Sequence, residues 1–335
     1  MAIEISKNNS KPKRILFLGS KNYGIVALRA IQDVAPRSLI GIITLDDSGD
    51  DRSRYTEIRS LASTSGITLK VISKTSELRE AIIACQPDLC FTVGWFTIIP
   101  DDVLQSVPDG FVGIHNSLLP SLRGSAPFVW AILKGHPSAG ITLFKFGRGL
   151  DNGDILASKS FPILSDDYIA DVMEKAENLI VPLVQENFPL LLQGVLMGVP
   201  QSDDDPRLTF GAPRRPPDGN IDWFKPAGYI YNFIRAQSYP YPGAFTYHQD
   251  RKMIIRRASL FPPVYYGTPG QIAQIVADGV YVICGDDRAL ILNEIELHEQ
   301  SGEIVYQGNP NQIIKSVAIR FSNTVQNPLG IIRNS

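Results

Sequence analysis

The stretch from Phe111 to Gly124 reads FVGIHNSLLPSLRG and sets the interpretation of the first half of the chain. Its first four residues form an apolar run that is typical of a strand buried in a parallel sheet. Pro120 and Gly124 then end regular structure. The histidine of this stretch, His115, lies where the predicted strand passes into the loop. Because ligands of open α/β sheets bind at the carboxyl ends of strands, we expect His115 to lie where chemistry takes place.

Strand-length apolar runs alternate with helical patterns on the amino-terminal side of this stretch. The predicted strands are 14–19, 39–45, 68–72, 88–94 and 111–115, and the predicted helices between them are 23–34, 55–65, 76–85 and 100–107. After it we predict a helix at 126–133, strands at 140–146 and 155–163, and a long amphipathic helix at 168–192. This alternation predicts an α/β fold with a doubly wound, mostly parallel, Rossmann-like sheet.

A composition shift follows the long helix. Residues 202–220 combine an Asp run with prolines and arginines and are predicted to be a linker. We then expect a helix at 221–236 and short strands at 245–247, 253–259, 270–276, 280–284 and 290–297, which indicate a small antiparallel domain, an open barrel of the OB type. The expected organisation is a polar extension (1–13), a catalytic domain (14–201), the linker (202–220) and a helix plus small β-barrel domain (221–335).

Composition limits the class of protein. A chain of 335 residues favours two domains, and a net charge of −2 argues against a protein dominated by contacts to a phosphate backbone. Cys85, Cys90 and Cys284 lie in apolar runs and are interpreted as free thiols of a reducing compartment, without metal or disulfide spacing. No secretory leader and no run of about 18 apolar residues is visible. We therefore expect a cytoplasmic protein.

A dinucleotide site is disfavoured. Gly19 and Gly24 follow the first predicted strand, but the pattern G-x-G-x-x-G is absent. No acidic residue ends the second strand in the expected way. A strand-glycine-helix turn of this kind serves close packing in most proteins.

A carboxylate offers a partner for His115. Asp151 comes 36 residues later, in a glycine-rich turn after the next predicted strand. Parallel neighbouring strands would bring both ends to one edge of the sheet, and a carboxylate beside an imidazole fixes its tautomer and holds a general base ready. We predict that the two residues form a pair, while a purely structural histidine remains an alternative.

The surrounding motifs resemble a known family. The segments 115–120 (HNSLLP), 123–124 (RG) and 150–153 (LDNG) resemble the signature H-x-S-L-L-P-x-x-R-G with a downstream D-x-G of the 10-formyltetrahydrofolate-dependent formyltransferases, and the His-to-Asp spacing matches. Segments 219–223 (GNIDW), 234–236 (IRA) and 240–245 (PYPGAF) are similar to the carboxy-terminal domain of methionyl-tRNA formyltransferase. They resemble still more closely the formyltransferase domain that acts on UDP-4-amino-4-deoxy-L-arabinose.

The resemblance implies a reaction and a set of site residues. An acceptor amine would attack the formyl carbon of 10-formyltetrahydrofolate, with His115 moving protons or polarising the formyl oxygen, Asp151 holding His115, and Asn116 as a further catalytic candidate. No metal is implied. The implied folate-binding residues are Gly94, Trp95, Phe96, Ile98, Phe146, Gly147 and Leu150, with core packing as the alternative for Trp95 and Phe96. The expected acceptor-binding residues are Ser117, Leu118, Leu119, Pro120, Arg123 and Gly124.

The chain departs from the family at Gly113. Many members carry Asn two residues before the histidine, where it stabilises the oxyanion. In a strand, Gly113 and His115 share a face, but Gly113 has no side-chain donor, and losing one such donor costs about a hundredfold or more in rate. A weaker enzyme, a donor supplied by Asn116 or a backbone N–H, and a non-catalytic binder are the three alternatives. Activity is favoured because hydrolase-type relatives manage without this Asn.

The acceptor is predicted from charge and from the resemblance. Methionyl-tRNA formyltransferases carry a basic insertion after the second strand, whereas residues 46–51 read DDSGDD, which would repel phosphate. We therefore expect a nucleotide-linked amino sugar as the acceptor, with no membrane partner and nucleic acid disfavoured. The alternatives are methionyl-tRNA or another small or carrier-bound amine, and a formyl-folate hydrolase or non-catalytic folate binder. A homodimer is left open.

Overall fold

The computed structural model describes residues 12–50 and 52–323. The predicted extension 1–13 therefore lies almost wholly outside the described residues, as do Asp51 and residues 324–335. The chain divides into two compact units. Of the described residues, the first unit comprises those up to 123, 140–161 and 175–210, and the second comprises 124–139, 162–174 and 211–323.

The first unit is built on a seven-stranded sheet, in the order β3-β2-β1-β4-β5-β7-β8. The first nine strands of the described residues are β1 (Ile15–Gly19), β2 (Leu39–Leu45), β3 (Leu69–Ile72), β4 (Leu89–Val93), β5 (Phe111–His115), β6 (Arg123–Gly124), β7 (Ser138–Lys145), β8 (Ile155–Pro162) and β9 (Phe210–Gly211). β1 to β5 are all parallel, and the short strands β6 and β9 pair separately. The prediction of a doubly wound, mostly parallel sheet is confirmed.

Helices connect the strands. They are α1 (Lys21–Val34), α2 (Tyr55–Thr64), α3 (Leu78–Cys85), α4 (Asp101–Leu104), α5 (Pro127–Leu133), α6 (Ile169–Leu192) and α7 (Ala227–Gln237). Among the described residues, no helix combines the length and the hydropathy required to cross a membrane.

The core of the first unit explains why its strands are continuous apolar runs. Every residue of β1 and β4 is buried, as expected for central parallel strands that are covered on both faces. Phe17 meets Phe91 edge to face at 5.7 Å between ring centroids, and Phe91 contacts Phe188 of α6 at 4.4 Å. Gly94, at φ +69°, lets the turn after β4 approach the turn after β1, because a Cβ there would lie 2.1 Å from the Ser20 carbonyl oxygen.

One assumption about the sheet was wrong. β7 pairs with β5 in the antiparallel direction, with His115 opposite Thr142 and Val112 opposite Lys145. Parallel strand ends therefore do not bring Asp151 to His115. The loop after β7 does so, because it returns across the sheet before β8 begins.

The acidic segment after β2 is held to the turn after β1. The Asp47 carboxylate, almost fully buried, accepts hydrogen bonds from the Ser20 and Ser53 hydroxyls, both at 2.6 Å, and pairs with Lys21 at 2.6 Å. Asp50 also pairs with Lys21, at 2.9 Å. Burial raises the pKa of Asp47, but the hydrogen bonds from Lys21, Ser20 and Ser53 outweigh it and lower that pKa below its usual value.

We expect Asp47→Asn to destabilise the protein by about 1–2 kcal/mol at pH 7, since charge-assisted hydrogen bonds are lost. A carboxyl whose pKa is depressed by folding stabilises the native state above its unfolded pKa, and this contribution disappears as the pH falls through the folded value. The loss should therefore be smaller at pH 3 in urea unfolding. Asp46→Asn is the matched control, because Asp46 is exposed and its carboxylate accepts hydrogen bonds from the neighbouring Ser48. Equal destabilisation at both pH values would contradict this account.

The second unit contains a six-stranded antiparallel sheet, confirming the predicted β-domain. Its strands are β10 (Ala244–His248), β11 (Arg251–Phe261), β12 (Ile272–Val276), β13 (Gly279–Ile283), β14 (Ala289–His298) and β15 (Ile304–Gly308), in the order β10-β11-β14-β13-β12 with β15 also on β14. Its interior holds Trp223, whose indole N–H donates to Thr246 at 3.0 Å. A buried Arg256–Glu296 ion pair, with both N–O distances 2.9 Å, lies in the same sheet.

The helix predicted at 221–236 begins later. Ile221 and Trp223 are buried in irregular structure, and α7 starts only at Ala227, after Pro226. Pro226 itself has φ −58° and ψ 148°, outside the helical region, so the extended segment ends at Pro226 and the helix begins directly after it.

Candidate active site

His115 ends β5 with both ring nitrogens near oxygen atoms. Its Nδ1 lies 3.5 Å from Oδ2 of Asp151, and its Nε2 lies 2.9 Å from the carbonyl oxygen of Leu122. The His115 side chain is 10% exposed and that of Asp151 is 22% exposed, so both are accessible without being freely solvated. Edge-to-face contact with Phe144 supports the imidazole ring from one side.

The partners of His115 determine where its protons lie. A carbonyl oxygen can only accept, so Nε2 carries a proton and donates it to Leu122. Nδ1 then faces a carboxylate that can also only accept when it is ionised. With its proton on Nε2, a neutral imidazole has none on Nδ1, and an ionised carboxylate has none to donate. A hydrogen bond between Nδ1 and the Asp151 carboxylate therefore requires one additional proton. The 3.5 Å approach of Nδ1 to the carboxylate is an ion pair only when the ring carries both protons.

The loop after His115 is fixed by Thr142 of β7. Its buried hydroxyl donates to the Ser117 carbonyl at 2.7 Å and accepts from the Leu119 N–H at 3.2 Å. The Ser117 hydroxyl bonds the Ser121 carbonyl at 2.5 Å. These bonds shape the turn that brings the Leu122 carbonyl to the histidine.

Asp151 lies in a tightly built loop at 146–154. Asp151 itself adopts φ +47°, a left-handed conformation that non-glycine residues rarely take. Asn152 closes the loop by accepting the Gly149 N–H at 3.0 Å. A Cβ at Gly153 would meet the Lys145 carbonyl oxygen at 1.8 Å, so the loop folds onto the end of β7 at a separation that only glycine permits.

Sequence reasoning missed Gln201. Its side-chain amide donates to the carbonyl oxygens of Asp151, at 2.9 Å, and Gly153, at 2.6 Å, and its Oε1 accepts from Arg123 Nε at 3.1 Å. Gln201 lies 50 residues beyond Asp151, at the edge of the predicted linker. No local sequence pattern indicates Gln201, since its contact with the Asp151 loop forms only when segments distant in the sequence pack together.

The space beside Gly113 is filled by Phe146. A Cβ at Gly113 would lie 2.4 Å from Phe146 Cε1 and 2.7 Å from the Thr92 carbonyl oxygen. The Phe146 ring stacks on Phe144 at 5.1 Å and on Phe111 at 6.2 Å. The missing family Asn is thus explained by packing: this chain places an aromatic ring where that side chain would lie.

Asn116 makes no side-chain hydrogen bond to His115 within the described part of the chain. It is half-buried in the bend directly after β5. The structure therefore provides no contact that identifies it as an oxyanion donor, and its role stays a prediction.

The predicted folate-binding residues divide into exposed and half-buried groups. Phe96, Ile98 and Leu150 are exposed, and the half-buried members are Gly94, Trp95, Phe146 and Gly147. Trp95 Nε1 and Thr97 Oγ1 are buried and have no hydrogen-bond partner within residues 12–50 and 52–323. The segment after β4 thus presents apolar surface together with unpaired polar atoms, which suits a planar ring that carries polar edges.

The predicted acceptor-binding residues are more buried than a contact surface would be. Ser117, Leu119, Pro120 and Arg123 are buried, and Leu118 and Gly124 are half-buried. The Arg123 guanidinium is 3% exposed and bonds Gln201 and Asp203, the latter at 3.2 Å. In this structure, these side chains build the loop after His115.

The remaining histidines and the cysteines lie elsewhere. His248 is buried, and burial lowers its pKa. His298 is half-buried, with its Nε2 3.3 Å from Glu296. The three cysteines are free, and burial raises the pKa of Cys284 to about 12. Among the residues that the structure describes, no three or more His, Cys, Asp or Glu side chains are arranged to hold a metal ion.

Comparison with known proteins identifies the family. Residues 39–182 match the family described as formyl transferase, and residues 214–307 match the formyl transferase C-terminal domain. The methionyl-tRNA formyltransferases of Geobacillus thermodenitrificans and Trichlorobacter lovleyi are 30% and 32% identical, each over 84% of this chain and 89% of the relative. An N-formyltransferase structure from Helicobacter canadensis, in complex with folinic acid and dTDP-3-aminofucose, has the same fold, with a TM-score of 0.60 at 18% identity over 84% of this chain and 99% of that chain. The chain belongs to the formyltransferase family, whose members are enzymes that transfer formyl groups.

Proposed function

We propose that the protein transfers the formyl group of 10-formyltetrahydrofolate to an amine, with His115 and Asp151 as the catalytic pair. The observation that carries this proposal is the 3.5 Å approach of His115 Nδ1 to the Asp151 carboxylate at the carboxyl end of β5. In a parallel sheet this is the edge at which ligands are bound. An imidazole beside a carboxylate at that edge is suited to general acid–base chemistry.

The reaction requires one proton to be moved. A neutral amine attacks the formyl carbon, the new C–N bond forms, and the bond from the formyl carbon to the folate nitrogen breaks. The amine must lose a proton and the departing nitrogen must gain one, so no net proton is consumed. His115 and Asp151 would accept the first and return the second, while the Leu122 carbonyl keeps Nε2 protonated and Nδ1 available.

The formyl donor fits the segment after β4. The exposed rings and aliphatic groups of Phe96, Ile98 and Leu150 provide apolar surface for a pterin. The unpaired polar atoms of Trp95 and Thr97 offer a donor and a hydroxyl to its edge. No metal takes part in this proposal.

Methionyl-tRNA is the acceptor that the relatives favour. The two curated relatives named above share 30% and 32% identity with most of this chain, whereas the likeness to the amino-sugar enzyme is one of fold. The acidic segment at 46–50 is also less repulsive than its sequence indicates, because Lys21 pairs with both Asp47 and Asp50. The amino sugar expected from the sequence thus becomes the second candidate.

A nucleotide-linked amino sugar keeps one specific observation in its favour. Residues 211–323 of the second unit contain eleven Lys and Arg against ten Asp and Glu. A surface that binds nucleic acid normally carries a basic excess. This near balance favours a small acceptor.

An acceptor panel tests the proposal. The protein is incubated with 10-formyltetrahydrofolate and charged initiator tRNA, UDP- or dTDP-linked amino sugars, or no acceptor. We expect formyl-methionyl-tRNA; formylated sugar instead would select the second candidate. Turnover of the folate without any acceptor would indicate hydrolysis, and no turnover in any arm would contradict the proposal.

A further inference from the structure

We propose that Gln201 is the positioning residue that holds Asp151 toward His115, with Arg123 acting through it. This inference rests on the proposed function, since it concerns the carboxylate of the proposed catalytic pair. Gln201 touches neither His115 nor the Asp151 carboxylate in the structure. Its contacts are with the backbone that carries that carboxylate.

The orientation of the Gln201 amide is determined by its partners. An arginine N–H can only donate, so the Gln201 oxygen faces Arg123. The carbonyl oxygens of Asp151 and Gly153 can only accept, so the Gln201 nitrogen faces them with its two N–H donors. The Gln201 amide thus satisfies all three partners at once. A carboxylate of the same shape would oppose two carbonyl oxygens.

Asp151 benefits from such support because its backbone lies in the left-handed region, at φ +47°. Non-glycine residues adopt this region less readily than the right-handed one, although Asp does so more often than most. The Gln201 bonds to residues 151 and 153 bracket Asn152 and hold the backbone on both sides of the bend. A loop without these bonds would relax, and the Asp151 carboxylate would move away from Nδ1 of His115.

Gln201 is itself held firmly. Val199 and Ile155 exchange two backbone hydrogen bonds, at 2.8 and 2.9 Å, which fix the chain two residues before Gln201. Buried Arg123 fixes its amide from the other side and is in turn paired with Asp203 at 3.2 Å. Arg123 directly follows Leu122, whose carbonyl accepts the hydrogen bond from His115 Nε2. Leu122 and Arg123 thus support both members of the pair, since Leu122 contacts His115 directly and Arg123 reaches the Asp151 loop through Gln201.

The test combines kinetics with amide hydrogen exchange. Gln201→Met keeps the length of the side chain and removes its polar atoms, and Gln201→Glu keeps the acceptor but removes both donors. Asp204→Asn, at an exposed position three residues along, is the matched control. Asp151→Asn and the double variant Asp151→Asn/Gln201→Met complete the cycle. Rates are measured as acceptor-dependent formyl transfer, and Tm is measured for each variant.

We expect both Gln201 variants to lower kcat about a hundredfold, with little change in acceptor KM and with faster exchange of the amides at 145–155. Gln201→Met should cost nothing further in the Asp151→Asn background, an outcome that a purely structural role would not produce. The control should match wild type.

Three results would overturn the inference. The first is unchanged exchange at 145–155 in both variants. The second is wild-type kcat in Gln201→Met while Asp151→Asn is impaired. The third is a full additional loss in the double variant. A fully active Asp151→Asn would instead remove Asp151 from the proposed chemistry, and the exchange measurement would still decide whether Gln201 holds the loop.

Discussion

Replacing His115 by asparagine is expected to lower the rate of formyl transfer about a thousandfold. General acid–base groups contribute 10²–10⁴ in rate, and an amide side chain cannot take up and release a proton as an imidazole can. The asparagine side chain is polar and shorter than the imidazole, so it fits the same space and should leave substrate binding unchanged. The loss should therefore lie in kcat. The measurement is the initial rate of acceptor-dependent tetrahydrofolate formation, at saturating donor.

The control for this variant is His136→Asn, which changes a histidine that belongs to the second unit. Tm should be measured for both variants to exclude unfolding. A correctly folded His115→Asn protein with an unchanged rate would remove His115 from the mechanism. If His136→Asn lost as much activity as His115→Asn, the assay would be reporting a loss of protein stability and not a loss of chemistry at His115.

Restoring the family residue at position 113 is expected to harm this protein. Gly113→Asn would place Cβ 2.4 Å from Phe146 Cε1 and 2.7 Å from the Thr92 carbonyl oxygen. The ring can move but the strand backbone cannot, and overpacking of this kind costs about 1–3 kcal/mol. Displacing Phe146 should also disturb the loop that carries Asp151 and lower the rate. Urea unfolding and the transfer assay measure the two effects.

The double variant Gly113→Asn/Phe146→Ala is the informative control. Removing the ring frees the space for the new side chain, so the double variant should lose less stability than the sum of the single variants. If Gly113→Asn is as stable as wild type and faster in formyl transfer, an Asn side chain at position 113 stabilises the oxyanion in this protein, as the resemblance to the family implies. Our packing explanation for Gly113 would then be wrong.

The fold could be predicted from local patterns wherever burial dictated the residue type. The β2 and β5 boundaries, Leu39–Leu45 and Phe111–His115, agree with the apolar runs, because central parallel strands must be apolar on both faces. The direction of β7 could not be predicted in this way. An alternating run reads the same in parallel and antiparallel pairs, so only the tertiary contacts decide it.

The site could also be predicted only in part, because some of its contacts are tertiary and leave no local pattern in the sequence. The chemistry of an imidazole and a carboxylate pointed to His115 and Asp151, although their meeting was explained by the wrong strand direction. Gln201 and Phe146 act through contacts between distant segments, one on a backbone and one beside a glycine. Such contacts leave no periodic signal in the sequence.

The most direct test follows the formyl carbon itself. Wild-type protein is given 10-formyltetrahydrofolate labelled with ¹³C in the formyl group, together with charged initiator tRNA and an amino-sugar nucleotide, and the products are identified by mass spectrometry. The account predicts one labelled formyl group on an acceptor amine for each tetrahydrofolate formed. Label recovered only as formate, or retained on the folate, would contradict it.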